Sequence, residues 1–280
     1  MQLIADSGST KTHWSLITTE GINNFRTIGL NPFFNGASMA EQEINKHPVL
    51  QQNLHQIKDV YFYGAGCGYE KNIRKMTLAL QHAFPQAQVR VDSDLLGAAR
   101  GLFLDQKGIA CILGTGSNSG LYNGKYIVRN TPALGYILGD EGSGNHLGKS
   151  LLKSYMHHEM PEELRKKFKE QHPETPKALL YELYHHPYPN RFLAEFTPFM
   201  QKHMTHPFVK KMLNQAFVQF LTLLKKHYPS EMLQSIRLTG TVAWTFQDTL
   251  IEAAQQMNMH ITRIEASPVE GLIHYHAPGR

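Results

Sequence analysis

Residues 6 to 12, Asp6-Ser7-Gly8-Ser9-Thr10-Lys11-Thr12, set a carboxylate, four hydroxyls, small side chains and one cation into a single short stretch. That set can hold a phosphate chain. Small residues let backbone N–H groups close on phosphate oxygens, the lysine offsets charge, and an aspartate suits Mg²⁺, which keeps several of its waters. The same residues also make an ordinary polar hairpin turn, and the segment alone leaves both readings open. A second loop, Gly114-Thr115-Gly116-Ser117-Asn118, offers the same devices without the lysine. Two such loops facing each other would grip a polyphosphate from both sides, as phosphoryl transfer requires, because that reaction depends mainly on positioning and charge stabilisation. A third loop, Gly135 to Gly144, sets Asp140 and Glu141 among four glycines just before a helix; capping that helix is the alternative use of these acids. Neither of the first two loops has the Gly-x-x-x-x-Gly-Lys-[Ser/Thr] or the Gly-x-Gly-x-x-Gly pattern, which argues against P-loop and dinucleotide-binding folds.

The elements that must position these loops read as α/β. Leu3 to Ala5 and His13 to Ile17 form a hairpin around the first loop, residues 59 to 63 form a strand, and residues 71 to 84 form a helix that stops at Pro85. Val89 to Val91 is a further strand and delivers Asp92-Ser93-Asp94 to a helix over Leu95 to Leu104, with Leu95, Leu96, Ala99 and Phe103 on one buried face. The order then repeats in outline. Ile109 to Leu113 is a strand leading into the second loop, and Asn123-Gly124 suits the centre of a type I′ hairpin turn. Two similar glycine turns imply two similar lobes. Residues 146 to 205 read as a helical insertion on the second lobe, and the apolar spacing from Val209 to Leu224 gives a core helix. Ile236 to Leu238 is a strand leading into Gly240-Thr241-Val242-Ala243, and a terminal helix carries Leu272 and Ile273.

Composition narrows the function classes. The 280 residues are 41% hydrophobic and 18% charged with a formal charge of +5. No stretch of about 18 apolar residues is present and the start lacks a signal-peptide pattern, so a cytoplasmic protein is expected. The positive residues are dispersed, and Arg165 to Lys169 interleaves with glutamates as a solvated helix face, which argues against nucleic acid. Cys67 and Cys111 cannot supply a disulfide framework or a four-thiolate metal site. The sixteen histidines, including His203 with His206, read as surface residues because nothing completes a metal site.

Taken in order, Asp6 to Thr12, Asp94-Leu95-Leu96-Gly97-Ala98, Gly114 to Asn118, Gly139 to Ser143 and Gly240 to Ala243 resemble the N-acetylglucosamine kinase branch of the sugar kinase, Hsp70 and actin superfamily. The segment Pro268-Val269-Glu270-Gly271 also fits this branch, which is grouped with ATPases that activate 2-hydroxyacyl-CoA dehydratases and benzoyl-CoA reductases. The resemblance implies a two-lobed ribonuclease H-like, actin-like ATPase fold of α/β class with a helical insertion in the second lobe. The lobes would cover residues 1–104 and 105–280, with the last helix returning to the first. It implies ATP and Mg²⁺, a small sugar substrate, and transfer of the γ-phosphoryl group to the 6-hydroxyl of an amino sugar or N-acetylated amino sugar, under lobe closure that excludes water.

The implied roles follow position by position. Asp94 matches the catalytic aspartate, although it is also placed to cap a helix. Asn31, Ser117, Asn118 and Asp140 match sugar contacts, with Leu134 and Gly135 nearby. Thr10 and Thr115 match phosphate contacts, with Ser9, Lys11, Gly114 and Gly116 in the same loops; Gly240 and Thr241 match the turn beside the adenosine; and Asp6 matches the metal position. Ser7 and Ser9 stand where glycines are common in the branch, His13 falls at a variable position, and the cysteine-rich zinc element of the repressor and glucokinase family is absent. Tyr181 to Phe199 and the insertion would supply the contact of a homodimer. Two rivals remain: an ATPase activating a redox partner through an iron-sulfur cluster, and a sensor that binds sugar or nucleotide without turnover.

Overall fold

A computed structural model describes residues 1–33 and 37–277. The chain runs β1 (Gln2–Ser7), β2 (Lys11–Ile17), β3 (Ile22–Ile28), α1 (Ala37–Lys46), α2 (Pro48–Asn53), β4 (Asp59–Gly64), α3 (Glu70–Ala83), β5 (Gln88–Ser93) and α4 (Asp94–Phe103). It continues through β6 (Gly108–Leu113), β7 (Ser117–Tyr122), β8 (Ile127–Asn130), α5 (Gly135–Leu138), α6 (Gly144–Met156), α7 (Glu162–Gln171), α8 (Pro176–His185), α9 (Pro189–Ala194) and α10 (Thr197–Lys202). The last part holds α11 (Pro207–His227), a 3₁₀ turn over Ser230–Gln234, β9 (Ile236–Thr239), α12 (Thr241–Thr245), α13 (Gln247–Gln256), β10 (Ile261–Glu265) and α14 (Val269–Tyr275).

The first sheet has the order β3-β2-β1-β4-β5. Its first three strands pair antiparallel, and β4 and β5 join parallel to β1. Leu3, Ile4 and Ala5 are fully buried at its centre, as a strand covered on both faces demands. One face packs a cluster of Leu3, Ala5, Trp14, Phe62 and Val91 against Ala40 and Ile44 of α1 and Met76 and Leu80 of α3. On the other face Ile4 and Tyr63 meet Leu272 of α14. The second sheet, read from β8, has the order β8-β7-β6-β9-β10, the same sequence of central, hairpin and crossover strands as the first.

Contacts divide the chain into two compact units. One holds Met1–Ala110, Gly120–Arg129 and Ser267–Arg280; the other holds Cys111–Ser119 and Asn130–Ala266. The helices α6 to α10 form the expected helical stretch, all within the second unit.

Two readings of the sequence change, and one strand goes unread. Asn123-Gly124 is not the central pair of a type I′ turn: the Asn123 N–H donates to the Tyr126 carbonyl, so Gly124 and Lys125 form the tip, and of these two only Gly124 has positive φ. Glycine at the first tip position is the type II′ pattern. The polar edge strand β3, with its mostly exposed Ile-Asn-Asn-Phe-Arg-Thr-Ile, has no apolar alternation to announce it. Finally, not all histidines lie at the surface. His172 packs between Phe168 and Phe196, and His276 stacks on Tyr61 at 3.7 Å and shares a 2.8 Å hydrogen bond with the Tyr63 hydroxyl.

Candidate active site

In the first unit, β1 carries Asp6 to the mouth of a hairpin whose register pairs Ser7 with Thr12 and Asp6 with His13. The Gly8 N–H donates to the Lys11 carbonyl at 3.0 Å, which puts Ser9 and Thr10 at the tip. Ser7, where a glycine was the family expectation, is fully buried: its hydroxyl meets Thr12 Oγ1 at 2.8 Å and accepts from the Leu30 N–H at 3.0 Å. It thereby fastens the segment Gly29-Leu30-Asn31 to the turn. A side chain at Gly29 would lie 2.4 Å from the Gly8 carbonyl oxygen, so the two backbones need that glycine. Asn31 is buried; its Oδ1 accepts from the Phe33 N–H and its Nδ2 reaches Ser9 Oγ at 3.4 Å. The sugar candidate and the tip of the phosphate hairpin are thus joined directly.

Asp94 opens α4 at the end of β5. The cap of that helix is Ser93, whose hydroxyl accepts from the Leu96 N–H at 3.2 Å. Asp94 is therefore not needed as the cap, and its Oδ1 accepts from the Leu95 N–H at 2.8 Å. Burial pushes its carboxyl up to about 6. Asp6 is pushed up to about 7, first by burial and then by the charge of Asp94, against the smaller lowering effects of Ser267 and Lys11. Asp94 is desolvated, and Asp6 is desolvated and in the field of Asp94; oxygen donors short of positive charge in this way fit Mg²⁺. The neighbouring Asp92 is instead engaged by Arg100 at 3.1 Å.

Two members of this cluster carried no motif. Ser267, returned to the site just before α14, lies 3.5 Å from Asp6 Oδ2 and 3.3 Å from His13 Nδ1. His13 is pushed down to about 4 by burial, Lys11 and Arg26, so its ring is neutral, and its Nε2 is buried without a partner among the described residues. Lys11 is itself lowered by burial and by Arg26.

The second unit carries the other candidate loops. The Gly114 N–H donates to the Gly116 carbonyl at 2.9 Å, making a tight turn between β6 and β7. The first N–H groups of α6 are spent on this turn: Gly144 donates to the Gly114 carbonyl at 2.8 Å and Asn145 to the Thr115 carbonyl at 3.0 Å. Carbonyls polarised in this way make the turn's own amides stronger donors to an anion. Asp140 sits at φ +59°, a left-handed conformation that aspartate tolerates, and its Oδ1 accepts from the Ser117 N–H at 3.2 Å. A side chain at Gly116 would lie 3.0 Å from the Asp140 carboxylate. Burial raises the Asp140 carboxyl, while hydrogen bonds from Asn145 and Ser117 oppose the rise. Asn118 spends its Oδ1 on the Ser119 N–H and on Asn130, which leaves the donor end of the amide for a ligand.

Gly240 completes this half. Its φ is +117°, and a side chain there would lie 2.4 Å from the Leu113 carbonyl oxygen and 3.2 Å from the Gly114 nitrogen. The Gly240-Thr241 turn therefore rests against the start of the Gly114–Gly116 turn. Leu134 is exposed, as are Ile137 and Leu138 beyond Gly135, so the short helix α5 presents an apolar surface next to Asp140.

The two cysteines are fully buried, and burial pushes the Cys67 thiol up to about 12 and the Cys111 thiol upward as well. Neither is a ready cluster ligand. Among the described residues no group of three or more His, Cys, Asp and Glu side chains could hold a metal ion, and no helix is long and apolar enough to cross a membrane.

No protein-family model matches the chain, and no curated protein does. Solved structures do. A candidate N-acetylglucosamine kinase from Porphyromonas gingivalis is 37% identical with a TM-score of 0.92, over 99% of this chain and 98% of that one. A second candidate N-acetylglucosamine kinase, from Chromobacterium violaceum, is 17% identical with a TM-score of 0.72, over 98% of each chain. A glucokinase of the ROK family from Streptomyces griseus, solved with glucose and AMPPNP, is 14% identical with a TM-score of 0.58 over 98% of this chain and shares the fold alone.

Proposed function

From the premise that this chain belongs to the N-acetylglucosamine kinase-like branch of the sugar kinase, Hsp70 and actin superfamily, we propose that it is an ATP-dependent kinase of an amino sugar or N-acetylated amino sugar, acting at the 6-hydroxyl. The observation that carries this reading is the pair Asp6 and Asp94, both desolvated, with the charge of Asp94 acting on Asp6, beside a hairpin suited to phosphate. In this reading one carboxylate holds a cation and the other takes a proton.

In this reading Asp94 accepts the proton of the sugar hydroxyl, the hydroxyl oxygen forms a bond to the γ-phosphorus, and the bond from that phosphorus to the ADP oxygen breaks. The backbone of Gly8 to Lys11 and of Gly114 to Gly116 receives the phosphate oxygens, and Lys11 offsets their charge. Asp6 would hold Mg²⁺, which neutralises phosphate charge when bound. Asn31, Asn118 and Asp140 orient the sugar, and Gly240 leaves room for the base. A raised pKa suits Asp94 to this task, since a base near neutrality both stays ionised and binds the proton firmly. The exposed Tyr181 and Tyr184 of α8 support a homodimer contact on the insertion.

Asp94→Asn keeps the shape and removes the base. The phosphorylation rate in a coupled assay is expected to fall by roughly 10²–10⁴-fold, with ATP affinity nearly unchanged. Substantial turnover by that variant would remove Asp94 from its role.

A further inference from the structure

Asn145 belongs to no motif, yet it is fully buried at the start of α6 with its side chain against the sugar loop. Its Nδ2 donates to Asp140 Oδ2 at 2.7 Å, while the Ser117 N–H holds the other carboxylate oxygen at 3.2 Å. An ionised carboxylate only accepts, so the amide must present its nitrogen to Asp140. Its own oxygen is left on the far side, buried and without a partner among the described residues. Such an orphan is costly, and turning the amide over would set oxygen against oxygen.

Helix formation does not explain the residue. Ser143 already caps α6 by accepting from the His146 N–H, and the bond from Asn145 to the Thr115 carbonyl uses its backbone, which any residue but proline supplies. Among the described residues, the one side-chain hydrogen bond of Asn145 is to Asp140. We propose that Asn145 is a positioning residue for sugar recognition, holding the Asp140 carboxylate at the angle from which it accepts hydrogen bonds from the sugar hydroxyls. The proposal rests on the reading of Asp140 as a sugar contact. It separates sugar reading, which uses this side chain, from nucleotide holding, which uses the backbone of the same helix start.

The test is calorimetric titration of N-acetylglucosamine, glucosamine and N-acetylmuramic acid, and separately of AMPPNP, into the full chain and into Asn145→Ala and Asn145→Asp. The alanine variant is expected to bind the wild type's preferred sugar on the order of tenfold to a hundredfold more weakly, with AMPPNP affinity within about threefold. Asn145→Asp keeps the shape but opposes two carboxylates, with Glu141 adding to the repulsion and Lys149 opposing it. It should bind sugar poorly at pH 8 and recover toward wild type near pH 5, where the pair shares a proton. Unchanged sugar affinity in both variants overturns the proposal, as do equal losses for sugar and nucleotide, since a general folding defect gives that pattern. A wild type that binds none of the three sugars overturns the kinase reading, and this proposal with it.

Discussion

Asp6 is the residue on which electrostatics and stability meet. Its carboxyl is raised from an ordinary aspartate value to about 7, so the folded chain without a cation holds a proton that the unfolded chain has already released. Folding stability from this group is therefore present at low pH and lost as pH climbs from about 4 through about 7. His13 and His276, both pushed down to about 4, act in the opposite sense over part of that window, so the wild-type profile alone mixes the two effects. The difference between wild type and Asp6→Asn isolates Asp6. The variant should match wild type near pH 4 and exceed it by a few kcal/mol near pH 8 in metal-free urea unfolding, while losing its response to Mg²⁺. A pH-independent difference would place Asp6 in a solvated setting instead. At this scale the sequence offered Asp6, Asp94, Asp140 and the glycine turns as candidates, because each lies in a short local pattern. Ser267 was invisible, since it reaches Asp6 from 261 residues away, and Asn145 was invisible because only the fold shows what its amide faces.

Among the elements, the return of α14 onto α4 is the most exposed to error. A side chain on Gly271 would fall 1.8 Å from the Gly101 carbonyl oxygen, and one on Gly101 would fall 2.5 Å from the Pro268 carbonyl oxygen. Backbone meets backbone there, so relief requires the helices to separate. Gly271→Ala should destabilise by about 1–3 kcal/mol, a drop of several degrees in Tm, and should shift Ser267 away from Asp6. Gly68→Ala, where an added carbon meets nothing within 4 Å, serves as the control and should change little. Equal melting of the two variants would mean that the crossing is looser than described. The long helices were legible, α3 by its stop before Pro85 and α11 by buried Leu213, Phe217, Phe220 and Leu224 at helical spacing. The edge strand β3 and the tip of the Gly124 turn were not, because partner strands decide both and a local window holds neither.

For the molecule as a whole, the strand order of one sheet repeats in the other, and each unit ends a buried strand in a turn of small residues. The sequence suggested this duplication through two similar glycine turns; the equal sheet orders extend it to ten strands. Under the proposed function, the choice of sugar would rest on loop surfaces such as Leu134 to Leu138, where one contact can change discrimination by large factors.

The most direct test follows the γ-phosphoryl group itself. Purified chain is incubated with γ-labelled ATP, Mg²⁺ and each amino sugar in turn, and label is counted in sugar phosphate and in inorganic phosphate. The account predicts label in a sugar 6-phosphate, one for each ADP formed, with little ADP when sugar is omitted. Release of inorganic phosphate at the same rate with and without every sugar would contradict it.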